Sequence, residues 1–111
     1  PTLAAGITLD LASATATLVS NAATITEYAA QITTESLTTA GAGSQAFVIT
    51  LTGVAATDLA FVTRAGGTNT TQLYNYNAVC TSTTITVTVY NNTAATALNG
   101  TLIFNLWVVK A

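Results

Sequence analysis

The chain contains no histidine, which removes the commonest general base and the commonest nitrogen ligand for metals. Its single cysteine, Cys80, has no intrachain disulfide partner and no imidazole to activate it. It reads as a small buried hydrophobe. Zinc and iron sites lack ligands. Charge is equally scarce: 5% of residues are charged, against about 25% in an ordinary soluble domain. The four acids, Asp10, Glu27, Glu35 and Asp58, lie in separate segments, and no spacing pairs two of them as glycoside hydrolysis requires. Glu27 and Glu35 could share a strand face, where isolated solvated carboxylates are the plainer reading. These absences point to a protein that is not an enzyme and that takes no cofactor or metal.

Positive charge is confined to Arg64 and Lys110, and the net charge is −2. No basic stripe can neutralise phosphates, so neither nucleic acid nor an anionic membrane surface is expected as partner. No run of about 20 apolar residues occurs, so no membrane-spanning helix is expected. Gly66-Gly67 is not followed by the pattern of a phosphate loop. No signal peptide is visible at the start, so none is expected. Pro1 commonly follows a removed initiator Met, so a complete small gene product is expected, with a cleaved precursor as the other reading.

What the chain has instead is Thr, its most frequent residue, and Ala, within a composition that is 50% hydrophobic. Thr is β-branched and can face water without charge. A surface this neutral offers little repulsion between copies, which suits a protein that works inside an assembly. The length is that of one domain with a single core.

The clearest pattern lies in residues 83–109, TTITVTVYNNTAATALNGTLIFNLWVV. Ile85, Val87 and Val89 alternate with Thr84, Thr86 and Thr88, the period of a half-buried strand. In the last segment Leu102, Phe104, Leu106 and Val108 form one apolar face. Ile103, Trp107 and Val109 form a second, broken only by Asn105. Such a strand should be covered on both sides, by an N-terminal segment or a second chain. The intervening link ends in Asn99-Gly100, which favours positive φ and a tight reversal. The two arms are therefore expected to pair as a hairpin.

Taken in order, Ile7, Leu9 and Leu11 suggest a short strand, and residues 12–19 are ambiguous between Ala-rich helix and Thr-rich strand. Residues 1–26 are read as an arm or outer strand covering the second face of the last strand. Residues 27–111 are read as the β-domain. Residues 27–39 resemble a strand anchored by Ile32 and Leu37, whose phase switch suggests a bulge or bend. A flexible turn over residues 40–44 follows. Residues 45–52 place Phe47, Ile49 and Leu51 inward. Residues 59–65 place Leu59 and Phe61 inward and Arg64 outward. Residues 71–80 place Tyr74 and Tyr76 on one face and Leu73 and Val79 on the other. Six or more strands, turns at intervals of about 8 to 12 residues and no convincing helix predict an all-β, antiparallel β-sandwich or barrel. With N-terminal strands added, the count approaches that of a jelly roll.

Asn69-Thr70-Thr71, Asn91-Asn92-Thr93 and Asn99-Gly100-Thr101 fit the glycosylation pattern, but each coincides with an expected turn and is read as turn chemistry. Tyr28, Tyr74, Tyr76 and Trp107 could build a sugar-stacking platform; sheet packing and a subunit interface are the more ordinary uses of such side chains.

Residues 31–109 carry a further signal. The stretches ITTESLTTAGA (32–42), FVITLT (47–52) and GTNT (67–70), and above all NNTAATALNGTL (91–102) followed by an apolar strand, resemble a β-domain of tailed-bacteriophage structural proteins. The ALNGT ending is the most specific piece. Proteins of this kind are similar to capsid decoration, cement or staple proteins, jelly-roll-like modules on the outside of expanded icosahedral heads. The length is also similar to that of the dimeric staple proteins of epsilon15-like phages. Cys80 and the Tyr-rich residues 71–77 depart from the pattern, and residues 1–26 lie outside it. The resemblance implies a virion location, the major capsid protein as partner, a homodimer rather than a trimer, and no catalytic residues. The expected contact residues are Ile103, Trp107 and Val109, with Tyr74 and Tyr76 as further anchors. A carbohydrate-binding module of a head or tail fibre is the alternative.

Overall fold

A computed structural model describes residues 14–71 and 74–111, with Tyr74 described through its backbone. Among the described residues, eight strands make two four-stranded sheets that pack face to face. Sheet A has the order β1 (Ala14–Thr17), β3 (Ala29–Thr33), β8 (Ile103–Val109), β5 (Leu59–Gly66). Sheet B has the order β2 (Ala22–Ile25), β4 (Ser44–Leu51), β7 (Thr84–Asn91), β6 (Tyr74–Cys80). The all-β sandwich expected from the alternation is what forms.

The sheets are mixed, not purely antiparallel. β1 runs parallel to β3, and β2 parallel to β4. The first four strands alternate between the sheets, so each parallel pair is joined through a strand on the opposite layer. That passage supplies the long connection parallel pairing needs. β1 and β2 meet at a corner where Ser20 and Asn21 both take positive φ, and Val19 and Ala22 exchange backbone hydrogen bonds of 2.9 and 3.1 Å. Residues 14–25 thus lie at the edges of the sheets, beside their neighbours and not over the outer face of β8. The reading of residues 1–13, including the strand suggested by Ile7, Leu9 and Leu11, lies outside the described residues.

The expected C-terminal hairpin does not form. β7 and β8 stand in opposite sheets, and the link between them crosses the end of the sandwich. Among the described strands, the only antiparallel neighbours adjacent in sequence are β6 and β7, joined at Thr81-Ser82-Thr83, where Thr83 takes positive φ and Thr81 N donates to Thr84 O at 2.8 Å. Alternation fixes which side chains face the core. It is the same whether two strands lie side by side or face each other across it.

Gly100 accordingly is not in the positive-φ set. Its use is close approach: a Cβ there would lie 2.6 Å from Thr68 Oγ1 and 2.9 Å from Asn69 N. Gly67 does have positive φ, and a Cβ on it would meet Thr101 O at 2.2 Å. The two loops are laced together. Thr68 N donates to Thr101 Oγ1 at 3.1 Å, and Thr101 N donates to Thr68 Oγ1 at 2.9 Å. Asn91, buried, ties a second crossing: its Nδ2 donates to Thr96 O at 2.7 Å and to Thr39 O at 3.2 Å, while its Oδ1 accepts from Thr93 N at 3.1 Å. The 40–44 turn is packed and not loose, since a Cβ on Gly41 would lie 2.9 Å from the Ala94 backbone.

The core lies between the sheets. β4 contributes Phe47, Ile49 and Leu51, β7 contributes Ile85, Val87 and Val89, and β8 contributes Phe104, Leu106 and Val108. Phe47 and Phe104 join the layers with ring centroids 6.2 Å apart. Ile32 and Leu37 are both buried, as expected, but β3 ends at Thr33. The phase switch between them reflects the end of the strand; beyond it, Leu37 N donates to Gly100 O at 2.8 Å. Cys80 joins the core as a free thiol whose pKa is raised, first by burial and then by the negative charge of Asp58.

Candidate interaction face

The strand registers of sheet A lay its outer side chains out in rows. Leu59 stands opposite Val109, and Phe61 opposite Trp107, which is in turn opposite Ala29. The next row runs Thr63, Asn105, Gln31, Thr15. The row after that holds Ile103, Thr33 and Thr17. One half of this face is therefore apolar, and the other is hydroxyl and amide apart from Ile103.

The apolar half is open. Leu59, Phe61 and Trp107 are 53%, 50% and 44% exposed, and no described element covers them. The Phe61 and Trp107 rings are 5.8 Å apart and tilted by 38°, a packed cross-strand aromatic pair. A monomer rarely leaves several large apolar side chains together in solvent without a use for them.

An ion pair closes the end of this patch. Asp58, buried, accepts from Lys110 Nζ at 2.7 Å, from Ala55 N at 2.9 Å and from Ala111 N at 3.1 Å. These bonds, led by the one from Lys110, lower the Asp58 pKa to about 2. The same partnership raises that of Lys110. Lys110 Nζ also donates to Gly53 O at 2.6 Å and lies 5.9 Å from the Tyr28 ring centre. Asp58 and Lys110 cancel each other beside Leu59 and Val109, leaving the margin of the patch neutral.

Of the residues singled out from sequence, Ile103, Trp107 and Val109 share this face, Trp107 exposed and the other two half-buried. Tyr76 does not join them. It belongs to sheet B and turns inward, its ring centre 6.2 Å from that of Phe104. Tyr74 also lies on β6, across from Asn91; its side chain and Leu73 fall outside what is described. Val79 is exposed on the outside of sheet B. Tyr28 lies at the Lys110 end, so among the described side chains Tyr28, Tyr76 and Trp107 form no shared platform.

Leu59 and Phe61 reverse the sequence reading, which placed them inward. Both phases of β5 are apolar, and size alone favours Leu and Phe for the interior. The interior takes the smaller Ala60 and Val62, which pack on the core from this strand. Only the register with β8 brings Phe61 beside Trp107. Arg64 is exposed, near the register shift that ends β5.

Among the described residues, no three acids or cysteines come together as a metal site, and no helix is long and apolar enough to cross a membrane. No protein-family model, curated protein or solved structure matches the chain.

Proposed function

We propose that this is a non-enzymatic viral structural protein that binds the outer surface of an icosahedral phage head and stabilises the expanded capsid by bridging capsomers. The observation that carries the reading is the open apolar half of sheet A, where Leu59, Phe61, Trp107 and Val109 sit side by side with a neutralised ion pair at their margin. An apolar centre with aromatics and little charge to desolvate is the composition of a protein interface. The resemblance carried by ALNGT supports the same assignment.

In this reading the partner is the major capsid protein, and a second copy of the chain makes a homodimer. Stabilisation follows from mass action, because a ligand that binds only the mature lattice lowers its free energy relative to other states. Many weakly bound copies that each touch two capsomers add avidity.

The test is sedimentation of the purified protein with undecorated expanded heads and with procapsids. Saturable binding selective for expanded heads, at the symmetry number of the icosahedral lattice or a multiple of it, is the expected result. Absence of binding to both particles overturns the reading.

A further inference from the structure

The amide half of the same face holds a trough of about 340 Å³ between β1, β3 and β8. The described residues that line it are Thr15, Ala29, Gln31 and Asn105, whose side chains face outward, and Ala14, Ala30 and Leu106, whose side chains face the core. Ala29 explains the hollow: it is the outward side chain beside Gln31 on β3, and its methyl leaves the space next to the longer amide side chains unfilled, whereas Ala14 and Ala30 face the core. Trp107, opposite Ala29 in the next row, stands beside it.

The polar groups form an ordered but loosely held set. Gln31 Nε2 donates to Asn105 Oδ1 at 3.4 Å, and Asn105 Nδ2 donates to Thr63 Oγ1 at 3.5 Å. Both bonds are long, and therefore weak. They run in one direction, so Gln31 Oε1, one N–H of each amide and the Thr15 hydroxyl make no hydrogen bond to a described residue. None of the described residues that line the trough is ionised. An anion or cation would find no counter-charge among them, and a purely apolar ligand would strand the amides. A neutral molecule with many hydroxyls and one C–H-rich face satisfies both halves at once.

We propose that this trough binds a neutral pyranose residue of a glycan. Its hydroxyls replace the long amide bonds of Gln31 and Asn105, and its C–H face lies against the exposed Trp107 indole. The amide contacts are distinct from the apolar rows that carry capsid binding, and Trp107 is common to both.

The test uses the ¹⁵N-labelled full chain, titrated with the methyl glycosides of glucose, galactose and rhamnose and screened on an array of neutral glycans. Saturable shifts of the Gln31 and Asn105 side-chain amide signals and of the Trp107 indole N–H are expected. Gln31→Ala and Asn105→Ala should each weaken the response about three- to tenfold, the range for losing one hydrogen bond. Val48→Ala, on the outside of sheet B, should leave it unchanged. No saturable response from any neutral glycan, or a response that survives both amide substitutions, overturns the proposal. Head sedimentation of the two amide variants separates the functions: retained capsid binding with lost glycan binding assigns them to different rows.

Discussion

Asn69 and Asn99 cap each other's loops. Asn69 Oδ1 accepts from the backbone N of Asn99 at 2.9 Å, and Asn99 Oδ1 accepts from the backbone N of Thr70 at 2.7 Å. Asn69 is buried and also donates from Nδ2 to Thr71 O at 2.9 Å, whereas Asn99 is exposed. Asn69→Ala should therefore cost about 1–3 kcal/mol of stability, because it strands buried backbone groups. Asn99→Ala should cost less, since water reaches its partners. Urea denaturation of both variants and the double variant checks this, and the double variant should fall short of the sum.

Gly100→Ala should be more damaging than its exposed neighbours suggest. The added methyl would press on Thr68 Oγ1 and the Asn69 backbone, both fixed by the same loop contact. Thermal unfolding should show a lower midpoint for Gly100→Ala than for Ala97→Gly, which lies in the exposed part of the link. Equal midpoints would show that the loops can separate without cost.

Trp107→Ala and Phe61→Ala should weaken capsid binding while changing stability by no more than about 0.5–1.5 kcal/mol, the value of an aromatic pair. Phe104→Ala should instead cost about 3–5 kcal/mol, as expected for a fully buried ring. Tyr76→Ala belongs with Phe104 and not with Trp107, because Tyr76 packs on the Phe104 ring. Sedimentation with expanded heads and chemical denaturation, run on the same variants, distinguish the two groups.

Acid should loosen the C-terminal end in a defined window. The Asp58 pKa is about 2 in the fold and 3.8 for the free side chain. A depressed carboxylate pKa stabilises above the unfolded value, and that contribution is lost as pH falls from about 4 through 2. Asp58→Asn should be less stable than the parent at neutral pH and should lose the part of the acid dependence that falls in this window. Unfolding midpoints measured from pH 6 down to pH 2 check the sign.

Cys80 should be inert in the folded protein. It is buried and its thiol pKa is raised, so little thiolate is present and none is accessible. Alkylation by iodoacetamide at neutral pH should proceed only with unfolding, and its rate should track denaturant concentration. Rapid labelling without denaturant would contradict the placement of β6.

By itself the sequence determined the class of the fold and most of its inward-facing side chains. Strict alternation placed Phe47, Ile49, Leu51, Ile85, Val87 and Val89 in the core, because a strand's period of two ties each residue to a face. It also marked the Asn-Thr triplets as turn chemistry, and the hydrogen bonds of Asn69, Asn91 and Asn99 account for them in that way. Partnership between strands was beyond its reach. Nothing in the period says whether the next strand lies beside the last or across the core from it, so the hairpin of β7 with β8 and the purely antiparallel pairing were misread. Where both phases of a strand are apolar, as in β5, alternation cannot say which faces in. Tertiary structure decided that Phe61 lies outside beside Trp107 and that Tyr76 lies inside against Phe104. It did so because register and the space left between the two sheets, both set by residues distant in the chain, select which side chains the interior can hold.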